Sequence, residues 1–283
     1  MKKKIGTVKT LLDALPFIKQ FSGEIVVIKY GGSAQTSQTL KERFAEDILL
    51  LHLIGIRPVI VHGGGSRITE LLEQLKIETE FIDGQRVTSD EVMRIAEMVL
   101  SGEINKEIAS LINHFGAKAI GISGKDSNFI TAKPFENGKL GRVGVVEKVD
   151  SRVIHKLLEE KFIPVIAPIG SGEELGDIGF NINADVAASA IAQNIGAKKI
   201  LFLTDTVGVL DKDGELIHSL STDEVKKLKE NGTIYGGMIP KVNACLSAVS
   251  GGVEKAHIID GRVEHSILLE ILTSDGIGTQ FVN

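Results

Sequence analysis

Six short runs of nearly uninterrupted valine and isoleucine recur along the chain: EIVVIKY, RPVIVHG, AKAIGIS, FIPVIAPI, KKILFLTD and KAHIID. A strand with one wet face alternates apolar and polar residues, and these do not alternate, so each predicts a strand buried on both faces. Between most of them lie patterns of helical period, at 40–54, 67–75, 89–100, 151–160, 184–195 and 241–249. Strand and helix in alternation predict an α/β fold with a largely parallel central sheet and helices on both faces. Such a sheet binds its ligands outside the carboxyl ends of the strands, where loops open onto helix N-termini.

With 283 residues, of which 43% are apolar and 24% charged, the chain is large enough for one big α/β domain or two lobes. The glycine-rich acidic stretch GSGEELGDIGF, between a predicted strand and a predicted helix, sets the expected lobe boundary, giving 1–21, 22–175 and 176–283 as the units. KPFENGKLGRVGVVEKV reads as a hairpin turning at ENGK. The net charge of −5 supplies no basic field beyond the opening MKKK, and with no tryptophan and only 5% aromatics there is little to stack on bases, so a nucleic-acid partner is not expected. No stretch approaches the ~18 consecutive apolar residues of a membrane span, and the first residues hold no continuous secretory core; no membrane partner and a cytoplasmic location are expected. The single cysteine, Cys245, excludes an internal disulfide and reads as a buried structural thiol.

Glycine clusters carry the chemistry. In VIVHGGGSRITELL three glycines end a strand and Ser66 can cap the next helix, leaving N–H groups aimed at an anion. A dinucleotide fingerprint starting at Gly63 would need glycine where Ile68 stands, which disfavours a nicotinamide enzyme. In AIGISGKDS the pair Gly124–Lys125 imitates a P-loop, but Ala119 and Asp126 occupy the positions of its first glycine and its hydroxyl, and an exposed turn lysine is the better reading. Two further glycine pairs sit beside lysines: Gly31 and Gly32 after Lys29, and Gly236 and Gly237 before Lys241, with Pro240 early in that helix. Alone, each lysine reads as a solvated charge; together, with the triple glycine, they point to a polyphosphate. Between them, FNINADVAASAIA crowds Asn181, Asn183 and Asp185 at a helix start. Capping accounts for one of the three, and the others are left to serve a ligand or to orient the lysines.

In order and spacing, IKYGGS, VHGGG, GQRVT, NINAD, LTDTVGV and GGMIPK resemble the amino acid kinase family, over the chain from about Leu11 to its end. The resemblance implies a three-layer sandwich and transfer of the γ-phosphoryl of ATP, with Mg²⁺, to the side-chain carboxylate of N-acetyl-L-glutamate, an arginine-biosynthetic step. It makes Lys29 and Lys241 the cations that stabilise the transferring group and Asp185 the residue that positions them. Arg86 and Asn181 would grip the substrate's α-carboxylate end, with Gly64 and Gly65 along its side-chain end. Gly31, Gly32, Thr204, Asp205, Gly208, Gly236, Gly237 and Lys241 would hold the nucleotide. Thr206 stands where relatives usually carry valine, a change expected to be tolerated. No dedicated metal cage is expected, and no appended domain of the kind that lengthens some members. His62 reads equally as a substrate contact or as a packed strand-end histidine.

The chemistry suits these groups, because a glutamate-type carboxyl with a pKa of about 4.3 is already ionised at neutral pH and needs no general base. What it needs is cations and N–H groups against the repulsion between two anions. A sibling kinase acting on another acetylated amino acid, on carbamate or on a nucleoside monophosphate is the nearest alternative, and a non-catalytic nucleotide or arginine sensor is the other. Arg86 with Asn181 favours an amino acid carboxylate, and the two lysines with Asp185 favour catalysis.

Val8, Leu11, Leu12, Leu15 and Ile18 share one face of a predicted helix over 7–21, bent near Pro16. It resembles the N-terminal helix of arginine-inhibited members, which joins dimers into a hexamer. His265, Glu270 and Gly276 match the arginine site of that branch, where a carboxylate suits a guanidinium. Arginine as an inhibitor and a hexamer built as a trimer of dimers are the corresponding expectations.

Overall fold

All six apolar runs become the six mutually parallel strands of one eight-stranded sheet. In spatial order they are Lys255–Asp260, Lys199–Thr204, Ile25–Tyr30, Arg57–His62, Ile163–Ala167 and Ala119–Ser123. Two short strands that the sequence pattern did not mark, Thr279–Val282 and Ser219–Ser221, extend the Lys255 edge in the opposite direction. The structure is a computed structural model and describes residues 2–35, 37–82 and 84–283.

Every residue of the strand Ile25–Tyr30 is buried, and its side chains divide between two cores. Val26, Ile28 and Tyr30 join the core beneath the helices Gln38–Leu53, Asp90–Glu97, Asn105–His114 and Ser266–Leu272. Ile25 and Val27 join the core beneath Arg152–Glu159, Ala184–Asn194 and Met238–Ser250. The result is a three-layer sandwich, and the non-alternating composition of the strands is its direct cause.

The predicted helix over 89–100 starts at Asp90, capped by the Ser89 side chain, which accepts from the Val92 N–H. It does not stop near 100. It passes through seven π-helical residues, Met98–Ile104, into Asn105–His114. The hairpin forms as expected from Ile130–Pro134 and Val143–Val149, with Glu136 and Asn137 at positive φ in the turn. It belongs to a separate four-stranded sheet with Phe180–Ile182 and Ile169–Gly170. The acidic glycine-rich stretch therefore joins two short strands of that sheet, rather than a strand and a helix.

Tyr30 pairs with His62 and Thr204 with Asp260, so four parallel strands end in line along one edge. The glycine turns start there. No helix among the described residues is long and apolar enough to cross a membrane.

Candidate active site

Lys29 sits next to last in its strand and is buried by its neighbours. Its ammonium lies 2.9 Å from Asp185 Oδ1, while that of Lys241 lies 3.9 Å from Asp185 Oδ2. Small residues allow this convergence. The helices carrying Asp185 and Lys241 meet through Ala187, Ala188, Ala244 and Ala248, all buried, and the Ser189 hydroxyl donates across the contact to the Ala244 carbonyl at 2.8 Å. Asn183 caps the first of these helices, its Oδ1 accepting from the Asp185 and Val186 N–H groups. Asp185 thus stands in a first helical turn, where the helix dipole favours its charge. Burial pushes its carboxyl up, and the two lysines more than offset this, so it is held below the usual aspartate range.

Gly31 is small for a local reason: a Cβ there would lie 3.0 Å from the Lys29 ammonium. Gly32 and Gly236 take φ of +64° and +53°. The helix at Gly65 starts without a side-chain cap, which leaves its first N–H groups free for an anion, whereas at the Met238 helix the Met238 and Ile239 N–H groups donate to the Tyr235 and Gly236 carbonyls and Pro240 has none. Ser66, expected as a cap, lies inside the first of these helices instead. Thr204 ends its strand, and its hydroxyl donates to the carboxylate of Asp205, the next residue, at 3.1 Å. Gly208 has φ +145° and no room for a Cβ, which would come within 2.6 Å of Leu216 and Thr279. The Thr206 hydroxyl donates to the Gly208 carbonyl at 3.2 Å, a use that valine could not supply.

Next to the triple glycine is a cavity of about 190 Å³, lined by Gly64, Gly65, Arg86 and Asn181 together with Phe81 and Leu100. The short hairpin of Phe81–Ile82 and Gln85–Arg86 folds Arg86 back over the Gly65 helix. There its Nη2 donates to the Gly65 carbonyl at 2.9 Å and to the Thr69 hydroxyl at 2.6 Å, and its guanidinium lies 4.6 Å from the Phe81 ring centre. Its Nη1 is buried without a partner, an expensive arrangement unless an anion completes it. Gly64 must be small, because a Cβ would run into Ile104 and within 2.7 Å of Leu100.

His62 is fully buried. Its Nδ1 donates to the Gly63 carbonyl at 3.0 Å, its Nε2 accepts from Asn105 at 3.1 Å, and burial lowers its pKa to about 4. It is the packed strand-end histidine of the two readings. Lys125 bonds both Glu97 oxygens at 2.8 Å in a half-exposed turn, far from P-loop geometry.

The three residues matched to an arginine site do not converge. Glu270 and Gly276 line one cavity of about 200 Å³ with Phe17, Lys199 and His257. His265 does not line it; its Nδ1 lies 2.6 Å from Asp47, a buried carboxyl that desolvation lifts to about 6. The sequence reading missed His257 and Lys199. A basic residue inside each of two adjacent apolar runs was the available signal. Lys199 Nζ and His257 Nε2 approach Glu270 Oε1 at 3.0 and 2.9 Å, and His257 Nδ1 is buried without a partner.

Residues 24–260 match the model of the amino acid kinase family, and the chain belongs to that family and is a kinase. Within the family it groups with the acetylglutamate kinases. That of a Nitratiruptor species is 67% identical over 280 residues, and that of Sulfurimonas denitrificans 65% over 280 residues, each alignment covering 99% of both chains. Among solved structures, N-acetylglutamate synthase from Neisseria gonorrhoeae complexed with coenzyme A and N-acetyl-glutamate superposes with a TM-score of 0.86 at 27% identity. That match covers 98% of this chain and 63% of the synthase chain. The same enzyme complexed with coenzyme A and L-arginine gives 0.81 at 27% identity, covering 97% of this chain and 65% of the synthase chain.

The buried Glu270 cluster has a pH signature. Burial raises this carboxyl, but hydrogen bonds from His257 and the Ile277 N–H, with the charges of His257 and Lys199, bring it from 4.5 to about 2. A depressed folded-state pKa contributes stability that is complete above 4.5 and fades as pH falls towards 2. The stability deficit of Glu270→Gln should therefore shrink from neutral pH to pH 3 in urea denaturation. A deficit constant over that range would contradict the assignment.

Proposed function

We propose that the chain transfers the γ-phosphoryl group of ATP to the side-chain carboxylate of N-acetyl-L-glutamate, giving the acyl phosphate. The observation that carries this reading is the cavity itself. A buried guanidinium with an unpartnered N–H lies on one wall, the uncapped Gly63–Gly65 turn on another, and the turn packs beside Lys29. Arg86 and Asn181 take the α-carboxylate end of the substrate, and the nucleophilic carboxylate lies towards the glycines and the lysines. The nucleotide takes the C-terminal half, on Thr204, Asp205, Gly208 and the Gly236–Gly237 turn. The names of the relatives at 67% and 65% identity support the same substrate.

No proton need be removed, because the accepting carboxylate is already ionised at neutral pH. Two anions must approach, and two ammonium groups held by one carboxylate lower that barrier without having to reorganise. Both Asp185 oxygens face lysines, and among the described residues no group of three or more metal-binding side chains is assembled. Mg²⁺ would therefore rest on the phosphate oxygens of ATP, where it neutralises their charge.

Arginine inhibition extends this reading to the second cavity, where Glu270 and Lys199 offer opposite charges to a zwitterionic amino acid and Gly276 leaves room beside Glu270. The arginine complex of the synthase supports this. The helix Lys2–Phe21 contributes Phe17 and Phe21 to the wall, while Leu11 and Leu12 on it are 66% and 59% exposed. A second copy of the chain covers that apolar stripe, and dimers joined in this way form the hexamer.

A coupled ADP-release assay with N-acetyl-L-glutamate tests the activity directly; no turnover would reject it. Lys241→Ala should lower kcat about 10²- to 10³-fold in a folded protein, whereas near-normal turnover would remove Lys241 from the transfer step. Arg86→Ala should chiefly raise the KM for the acetylated substrate; a change confined to the KM for ATP would reverse the division of the site. Added arginine should inhibit, and light scattering should give a hexamer that falls to dimers when residues 1–20 are deleted. Indifference to arginine, or a dimeric full chain, would reject the corresponding claim.

A further inference from the structure

Residue Gly63 is held from three sides, through the two peptides that flank it. Its N–H donates to the Tyr30 carbonyl at 2.9 Å, which ties it to the end of the Lys29 strand. Its carbonyl accepts from His62 Nδ1 at 3.0 Å and from the Gln35 amide at 3.5 Å. Since that carbonyl can only accept, His62 carries its proton on Nδ1, and its bare Nε2 accepts from Asn105. Asn105 is fixed in turn, donating to the Val165 carbonyl at 2.9 Å and accepting from Lys106 Nζ at 2.9 Å. It follows directly on the π-helical segment whose Leu100 and Ile104 press against Gly64. π-Helical insertions cluster at functional sites, and here one brings both the amide and the apolar contacts to the same loop.

Three consecutive glycines would otherwise be free to rotate their peptides, at little steric cost. A Cβ on Gly31 would lie 3.0 Å from Lys29 Nζ and 3.7 Å from the Gly63 nitrogen, so the turn whose next peptide joins the Gly63 carbonyl to the Gly64 N–H begins beside the ammonium. We propose that His62 is a positioning residue for phosphoryl transfer: held by Asn105 in its Nδ1–H tautomer, it anchors the Gly63 carbonyl and keeps the N–H groups that follow presented beside Lys29. This rests on the kinase reading above. Burial keeps the ring neutral, because a protonated Nε2 would face the Asn105 amide donor, and the Lys106 ammonium lies nearby.

Steady-state kinetics on three forms of the whole chain tests the role. His62→Leu fills the space and loses the donor, and should lower kcat about 10- to 100-fold with both KM values within about twofold. His62→Asn places an amide N–H near the lost Nδ1 and should recover most of that loss. A purely structural histidine predicts the opposite pattern: unchanged kcat in whichever variants fold, or equal loss in both. Unchanged kcat in His62→Leu, raised KM with kcat intact, or no recovery in His62→Asn would each overturn the proposal. If neither variant folds, ¹⁵N-resolved NMR of the wild-type imidazole decides: Nδ1 protonated from pH 5 to 8 supports the proposal, and the Nε2–H tautomer overturns it. Absence of turnover by the wild-type chain would instead reject the kinase reading, leaving the NMR measurement to judge the His62 geometry alone.

Discussion

One carboxylate organises this molecule. Asp185 is buried beneath the end of the central strand, with a lysine on each oxygen. A buried carboxylate is tolerable only with such partners, and a lysine as enclosed as Lys29 only with such an acceptor. Each therefore requires the other. Much of the surrounding architecture can be understood as bringing them together: alanines where two helices must approach, a serine hydroxyl stitching those helices, and a glycine next to the ammonium. The arrangement also holds two cations on the two oxygens of one shared carboxylate. On the proposed function, the incoming phosphoryl group meets charge that is already in place.

The six central strands were legible because burial on both faces leaves no polar alternation, and only a covered parallel sheet tolerates that. The candidate site stood out in the sequence for a different reason. Lysines beside glycine pairs, and amides at a helix start, are costly choices that packing alone does not explain. What stayed hidden is what depends on distant partners. The edge strands Ser219–Ser221 and Thr279–Val282 are short and find their pairing only in three dimensions. The π-helical segment stayed hidden because it contains Ser101 and Gly102, poor helix formers, which read in sequence as the end of the helix near 100.

The second cavity shows how a motif can mislead. His265, Glu270 and Gly276 share a stretch of chain, yet His265 lies at the start of the helix in the left-handed region and pairs with Asp47 on a different helix. The histidine that does meet Glu270 comes from the neighbouring strand Lys255–Asp260. Sequence proximity reports which residues share an element, whereas a ligand site is assembled across elements. In this sheet the register decides: Lys199 pairs with Lys255 and Leu201 with His257, which sets two basic side chains near one buried acid.

The second cavity lies at the opposite end of a strand that leads to the proposed nucleotide edge. Lys199 begins a strand whose far end is Thr204, at the proposed nucleotide edge, and that strand is hydrogen-bonded along its length to the one carrying Lys29. A rigid parallel sheet transmits displacement better than it absorbs it, since its interior is close-packed and each strand is fixed by both neighbours. A ligand that shifted Lys199 or Glu270 would thus act on an element shared with the proposed catalytic edge. The helix Ser266–Leu272 supplies a second connection, because it carries Glu270 and is anchored through His265 to Asp47 on the helix that follows the Gly31–Gly32 turn. On the proposed arginine inhibition, a ligand at one end of the sheet therefore needs no domain-scale rearrangement to act at the other. A small change in how that helix sits would reach the glycine turn beside Lys29, where a fraction of an ångström separates a well-placed ammonium from a misplaced one.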